Sequence, residues 1–142
     1  MPKGKAQGID RVYQELCLDI VRELQSDYKL VPYERDGIDI TFPLCETEVT
    51  FDAVLKDNKG NLVVIESKRY KSKAIEQRDV FAFWSQIEWL QRSLRVAVNG
   101  IMVTGSNYRI GAIKAAGHLG ISVAVCEPGQ TLDRFCCFIS QI

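Results

Sequence analysis

Residues 51–68 read FDAVLKDNKGNLVVIESK, and this stretch decides the fold. Apolar and polar side chains alternate in its first part, and four consecutive apolar residues follow at 62–65. Both patterns are typical of β-strands. The polar loop 58–60 suits a three-residue hairpin turn with its glycine in the left-handed conformation. We therefore predict a hairpin in which Asp57 pairs with Asn61.

This register brings two carboxylates together. Counting back from the turn places Asp52 directly opposite Glu66, and Lys68 projects from the same face as Glu66. Two opposed carboxylates destabilise a hairpin, so their placement calls for another reason. A divalent cation supplies one, because Mg²⁺ prefers a few carboxylate oxygens together with water. We predict that Asp52 and Glu66 hold a metal, while Lys68 contacts a phosphate or orients the attacking water.

The rest of the chain predicts a mixed α/β order. Apolar residues at three- and four-residue steps favour helices over about 9–25 and 74–93. Ser106 is the expected N-cap of a further helix that Gly120 ends. Strands are expected at 38–43, 49–55, 62–65, 96–103 and 121–125, and 134–139 is a candidate for an additional strand at the edge of the sheet. The order α-β-β-β-α-β-α-β predicts a three-layer α/β/α fold with a mixed central sheet.

Composition indicates an ordinary globular protein of 142 residues. We predict a polar, loosely attached arm at 1–8 and a single domain at 9–142. No apolar run is long enough for a membrane span and no signal sequence is visible, so we expect no membrane association and a cytoplasmic location. The five cysteines are scattered and odd in number, which favours reduced, buried side chains.

A cluster of basic residues follows the hairpin. The chain has 18 basic and 18 acidic residues, so it is not coated with positive charge. Charge concentrated on one edge still allows contact with phosphate, although a charge run is also typical of a solvated face. Gln77, at the start of the following helix, is a further candidate for phosphate contact. The residues expected to bind nucleic acid are Arg69, Lys71, Lys73, Gln77 and Arg78.

The stretches Phe51–Leu55 and Val64–Tyr70, joined by the hairpin, resemble the PD-(D/E)xK nuclease superfamily. This restriction-endonuclease-like group includes Mrr-type restriction enzymes and Holliday-junction resolvases. The predicted element order also matches, so the resemblance covers nearly the whole chain. It implies Asp52 and Glu66 as metal ligands, Lys68 as the catalytic lysine, and Mg²⁺ or Mn²⁺ as the cofactor.

The resemblance also implies an acidic residue from the first helix, for which Glu15 is the counterpart as a catalytic metal ligand. Two features depart from the family pattern. Phe51 stands where the family name has proline, and neither Gln77 nor Gln86 begins a Gln-x-x-x-Tyr motif. The second departure disfavours the RecB-like branch of the superfamily.

The expected function is a metal-dependent endonuclease that hydrolyses phosphodiester bonds, with DNA as the favoured substrate. A homodimer is expected because nucleases of this group often dimerise. The alternative is a catalytically silent nuclease-fold module that binds nucleic acid or serves in assembly. An enzyme acting on small molecules is disfavoured, because the chain lacks a Gly-rich phosphate loop.

Other residues have competing interpretations. Asp36 and Asp39 form an alternative metal pair, but a turn that begins with aspartate is the simpler interpretation. Trp89 shares a helix face with Phe81 and Ser85, which favours a dimer contact over a base-stacking platform. His118 is expected to be structural, because it lies near the end of a helix, where the helix dipole favours a positive charge.

Overall fold

A computed structural model describes residues 19, 29–44, 46–68, 73–125 and 138–140, with only the backbone described for Leu44 and 138–140. The predicted arm at 1–8, the five cysteines and the site candidates Glu15, Arg69 and Lys71 lie outside the described residues. The predicted single domain at 9–142 therefore stays a prediction. In the part of the chain that the structure describes, no helix is long and apolar enough to cross a membrane.

The described chain alternates strands and helices in the predicted order. Asp19, the described residue of the predicted first helix, is helical, and a short extra strand precedes the predicted meander. The elements are β1 Val31–Pro32, β2 Ile38–Leu44, β3 Thr47–Lys56, β4 Leu62–Lys68, α1 Gln77–Leu94, β5 Val98–Thr104, α2 Ile110–Leu119, β6 Ser122–Val125 and β7 Phe138–Ser140.

The described strands form one mixed sheet. β3 pairs antiparallel with β4 on one side and with β1 and β2 on the other. β4, β5 and β6 are mutually parallel, and β7 pairs antiparallel with β6. Helix α1 connects β4 to β5, and helix α2 connects β5 to β6. Two parallel strands need such a crossover, because the chain must return to the opposite end of the sheet before the next strand begins. The carboxyl ends of β4, β5 and β6 therefore lie at the same edge of the sheet.

The sheet is buried on both faces, which agrees with the predicted three-layer arrangement. One face packs against α1 and α2 through a large apolar cluster that includes Phe51, Phe83 and Leu90. The other face carries a smaller buried cluster that includes Leu55 and Ile65. The apolar positions of α1 predict a buried stripe of Val80, Phe83, Trp84, Ile87, Leu90 and Leu94, and four of the six are buried. Trp84 is partly buried against the same cluster, whereas Leu94 is exposed because it is the last residue of the helix.

The prediction that Ser106 caps a helix is wrong. Helix α2 begins four residues later, with Arg109 as its N-cap. The chain before it is extended because a parallel bridge joins Ile75 to Tyr108. In that bridge the Ile75 N–H donates to the Asn107 carbonyl (2.8 Å) and the Arg109 N–H to the Ile75 carbonyl (2.9 Å). The predicted end is confirmed, because Gly120 closes the helix with a φ of 73°.

The same bridge delays the helix after the hairpin. Helix α1 begins at Gln77 rather than at 74, because Ile75 is paired in the bridge and Glu76 is the N-cap. The Glu76 N–H donates to the Asp79 carboxylate at 2.9 Å, which completes a capping box.

Gly100 in β5 lies where α1 approaches the sheet most closely. A methyl group there would lie 2.3 Å from Ile87 Cδ1 and 2.9 Å from Phe83 Cε2. Both side chains are buried, so they have little room to move. We expect Gly100→Ala to lower the free energy of unfolding by about 1–3 kcal/mol, measured by urea denaturation.

The matched control is Gly111→Ala in α2. The nearest atom to its added methyl group, Gln77 Oε1, is 3.8 Å away, so no clash arises. Alanine also loses less chain entropy than glycine in a helix, which favours the variant slightly. Equal destabilisation of the two variants would contradict the close packing at Gly100.

Candidate active site

The predicted hairpin is confirmed. The register of β3 and β4 runs from Lys56 opposite Leu62 to Ala53 opposite Ile65. The Asp57 N–H donates to the Asn61 carbonyl at 3.0 Å, and Gly60 has a φ of 85°. The paired residues of the two strands end at Ala53 and Ile65, one step short of Asp52 and Glu66, so the opposition of those carboxylates stays a prediction.

Asp57 stabilises the turn that sets this register. Its Oδ1 accepts the Lys59 N–H at 2.8 Å and the Asn61 N–H at 2.9 Å. Desolvation raises the pKa of Asp57, but these hydrogen bonds outweigh it and the pKa lies below its ordinary value. The carboxylate is therefore ionised near neutral pH, and its two hydrogen bonds stabilise the turn that joins β3 to β4.

Glu66 and Lys68 lie on one face at the carboxyl end of β4. Lys68 Nζ is 3.6 Å from Glu66 Oε2, and the two side chains are 27% and 20% exposed. Their positions two residues apart on a strand account for the shared face. The pair is accessible from solvent, yet it is anchored on a strand whose neighbours Val64 and Ile65 are fully buried.

Asp52 is oriented by Ser67, the residue between the two members of that pair. Ser67 is buried, and its N–H and its hydroxyl both donate to Asp52 Oδ2, at 2.7 and 2.8 Å. Two donors on one oxygen restrict the rotation of the carboxylate and stabilise its charge. In the part of the chain that the structure describes, Oδ1 accepts no hydrogen bond. Oδ1 is therefore the oxygen that we expect to bind a ligand.

Sequence reasoning missed Ser67. The available signal was its position one residue beyond Glu66, in a strand that is otherwise apolar on its inward face. A buried hydroxyl needs a hydrogen-bonding partner, and the nearest acidic residue across the hairpin is Asp52. The hydrogen bonds from Ser67 therefore hold the Asp52 carboxylate in one orientation.

Asp52 and Glu66 meet the ligand requirements of a hard divalent cation. Mg²⁺ is commonly held by one or two carboxylates, with water and substrate phosphate completing its shell. Within the described ranges, no group of three or more histidine, cysteine or acidic side chains forms a metal cluster. The predicted third ligand, Glu15, lies outside those ranges. The described donors therefore fit an oxygen-liganded Mg²⁺ or Mn²⁺ better than a four-coordinate zinc site.

Two hydroxyl groups bind the backbone carbonyls of Lys68 and Lys73. Thr104, fully buried at the end of β5, donates from Oγ1 to the Lys68 carbonyl at 3.0 Å. Ser106 donates from Oγ to the Lys73 carbonyl at 2.8 Å, and the two hydroxyl oxygens are 3.0 Å apart. The backbone on both sides of 69–72 is thus tied to the end of β5.

The candidates for nucleic-acid contact that the structure describes are exposed. Lys73 lies four residues before Gln77, and Gln77 and Arg78 begin α1. Arg78 also pairs with Glu76, with Nη2 and Oε2 2.9 Å apart. Their exposure makes them available to a polyanion, and their contact with nucleic acid stays a prediction.

The turn interpretation of Asp36 is confirmed. Its Oδ1 accepts the Ile38 N–H at 3.0 Å, which closes an Asx turn before β2. Asp39 lies in β2 with a φ of 57°, and its carbonyl accepts a hydrogen bond from Arg35. Both aspartates belong to the local geometry at the start of the strand, so they do not replace Asp52 and Glu66 as the leading site.

The remaining candidates lie on helix surfaces. His118 is exposed in the last turn of α2, as a structural role at a helix end predicts. Phe81 and Trp89 are 43% and 42% exposed on α1. Ser85 lies between them on that face, and its hydroxyl donates to the Phe81 carbonyl. The predicted dimer contact at this face stays a prediction.

Solved structures resemble this chain, whereas no protein-family model and no curated protein sequence matches it. A protein of unknown function aligns with a TM-score of 0.53 at 16% identity, over 61% of this chain and 46% of that one. The complex of EndoMS with double-stranded DNA aligns with a TM-score of 0.50 at 24% identity, over 78% and 44%. A repair endonuclease from Pyrococcus abyssi aligns with a TM-score of 0.49 at 24% identity, over 66% and 40%.

The chain therefore spans less than half the length of each of these structures. The first two likenesses show the fold. The chain has a restriction-endonuclease-like α/β core, which confirms the predicted fold class.

Proposed function

We propose that this protein is a metal-dependent endonuclease that hydrolyses phosphodiester bonds in DNA. The observation that carries the proposal is the Glu66–Lys68 pair at the carboxyl end of β4, with Asp52 bound to Ser67, the residue between them in the sequence. Two acidic residues opposite each other on a hairpin are unfavourable without a cation between them. The EndoMS structure, which shares the fold, contains double-stranded DNA and supports DNA as the substrate class.

Each described residue of the site has a separate part in this chemistry. Asp52 Oδ1 and the Glu66 carboxylate would hold Mg²⁺ or Mn²⁺, which supplies an activated water and stabilises charge on the phosphate. Lys68 adds a fixed positive charge beside them, where charge develops on the phosphate oxygens. Ser67 maintains the orientation of Asp52, and Thr104 holds the backbone of Lys68.

The proposal is tested by incubating the purified protein with plasmid, linear and branched DNA. We expect cleavage with Mg²⁺ or Mn²⁺ and none with excess chelator. No cleavage of any substrate, together with no Mn²⁺ binding by calorimetry, would contradict the catalytic proposal. It would favour the silent nucleic-acid-binding module instead.

Replacement of Ser67 by alanine is expected to weaken metal binding. The variant keeps the backbone N–H of residue 67 but removes the hydroxyl donor to Asp52 Oδ2. Loss of a group that orients a metal ligand commonly reduces metal affinity about 10–100-fold, and we expect the lower end because one donor remains. The measurement is calorimetric titration with Mn²⁺.

Ser85→Ala is the matched control for this titration. Its hydroxyl donates to the Phe81 carbonyl on α1, so its loss should leave the Mn²⁺ affinity unchanged. Equal affinities for wild type, Ser67→Ala and Ser85→Ala would show that the hydroxyl of Ser67 does not act on a metal ligand.

A further inference from the structure

A concavity lies next to the candidate active site and is not part of it. Its volume is about 260 Å³, and it is lined by Lys73, Ala74, Glu76, Asn107 and Arg109. These residues belong to two segments, one after β4 and one after β5. The bridge between Ile75 and Tyr108 joins the two segments, so the backbone walls are fixed relative to each other.

The lining carries positive charge from both walls. Lys73 contributes from the first segment and Arg109 from the second, and both side chains are exposed. The negative charge of Glu76 is offset by Arg78, whose guanidinium lies 2.9 Å from it. The concavity therefore favours an anion.

Helix α2 adds to this preference. Arg109 is its N-cap, and its first turn contains no acidic residue, so the positive end of the helix dipole is not neutralised there. Gln77 reaches the same place, since its Oε1 lies 3.8 Å from the position of a methyl group on Gly111. The predicted nucleic-acid contact at Gln77 thus borders the concavity.

Size and position limit the class of anion. The volume of about 260 Å³ is below the range of pockets for drug-sized ligands, whose walls are mostly apolar. It accommodates a phosphate group with a few waters, each of which occupies about 30 Å³ in the liquid. The hydroxyls of Thr104 and Ser106 connect the Lys68 carbonyl to the Lys73 carbonyl, so the backbone of Lys68 is linked to that of Lys73 in the lining of the concavity.

We propose that this concavity binds a backbone phosphate of the nucleic acid, adjacent to the phosphate that is cleaved. Arg109 and Asn107 are its ligands from one wall, and Lys73 is its ligand from the other. DNA presents a phosphate about every 3.4 Å of helix axis on each strand, so a duplex held at the active site carries further phosphates close to the one that is cleaved. The assignment of DNA as the source rests on the proposed function, whereas the phosphate site itself does not.

Inorganic phosphate is the probe that tests the site without nucleic acid. We expect titration of the ¹⁵N-labelled protein to shift the backbone amides of Ile110 and Gly111 in a saturable manner. Arg109→Gln should weaken this binding at least several-fold. Lys114→Gln, an exposed cation further along α2, is the matched control and should leave it unchanged. The absence of a saturable shift in the wild type would overturn the site, whatever the protein does to DNA.

Binding of labelled duplex DNA, followed by fluorescence anisotropy in chelator at several salt concentrations, tests the source of the phosphate. We expect Arg109→Gln to lower the DNA affinity and to reduce the slope of log K against log salt by about one. An unchanged affinity and slope in Arg109→Gln would overturn the assignment to DNA. Phosphate binding by a protein that neither binds nor cuts DNA would uphold the anion site and contradict the proposed function.

Discussion

Replacement of Asp52 by asparagine should lower the rate of metal-dependent DNA cleavage by about 10³-fold or more. The substitution keeps the size of the side chain but removes the negative charge that a cation requires. It also places an amide opposite Ser67, whose N–H and hydroxyl both donate to Asp52 Oδ2. Lys68→Ala removes a positive charge beside the reacting phosphate and should cost about 10²–10³-fold. Initial rates of plasmid nicking measure both effects.

The matched controls are exposed groups of the same charge elsewhere in the meander. Asp39→Asn in β2 and Lys59→Ala in the hairpin loop should retain cleavage close to that of the wild type. Thermal unfolding of all four variants separates loss of chemistry from loss of structure. Cleavage by Asp52→Asn or Lys68→Ala within ten-fold of the wild-type rate would remove these residues from the catalytic machinery.

Replacement of Phe51 by alanine should lower the free energy of unfolding by about 3–5 kcal/mol. Phe51 is fully buried, and its ring packs edge-on against Phe42 and Phe83, with centroids 6.1 and 6.2 Å away. The ring thus connects β3 to β2 and to α1. Its removal leaves a cavity in the main core and breaks two aromatic contacts.

Phe81→Ala makes the same chemical change on the surface. Phe81 is 43% exposed on α1, so its truncation should change stability by less than about 0.5–1 kcal/mol. Urea denaturation of the two variants gives the comparison, and equal losses would contradict the central position of Phe51 in the core. Phe51→Leu, which retains most of the volume, should restore much of the stability.

Phe51 also bears on the resemblance to the PD-(D/E)xK superfamily, which stays a prediction. The superfamily name has proline at this position, whereas here the side chain is the link between the sheet and α1. Asp52 follows it, and its carboxylate accepts two hydrogen bonds from Ser67.

Local patterns predicted the elements that depend on neighbouring residues. The hairpin register followed from the loop 58–60 and the alternation on both sides of it, and the structure has the same register. The end of α2 followed from Gly120, whose left-handed conformation other residues rarely adopt. Such features are determined within a few residues, where chain geometry leaves few alternatives.

The starts of the helices were predicted less well, because they depend on contacts between residues that are far apart in the sequence. Ser106 has the residue type of an N-cap, but its hydroxyl binds the Lys73 carbonyl, 33 residues away in the chain. The bridge between Ile75 and Tyr108 holds both segments extended before each helix can begin. Local propensity is a weak signal against a buried hydrogen-bonded pairing of this kind.

The sequence by itself determined the fold class, the hairpin and the shared face of Glu66 and Lys68, because turn length and strand alternation place side chains locally. Only the tertiary structure decided how the site is held. Ser67 reaches Asp52 across 15 residues, and Thr104 reaches the Lys68 carbonyl across 36. The spacing of residues in the sequence does not predict these hydrogen bonds, because they form only when the strands have been assembled into one sheet. The concavity between Lys73 and Arg109 arises from that same assembly.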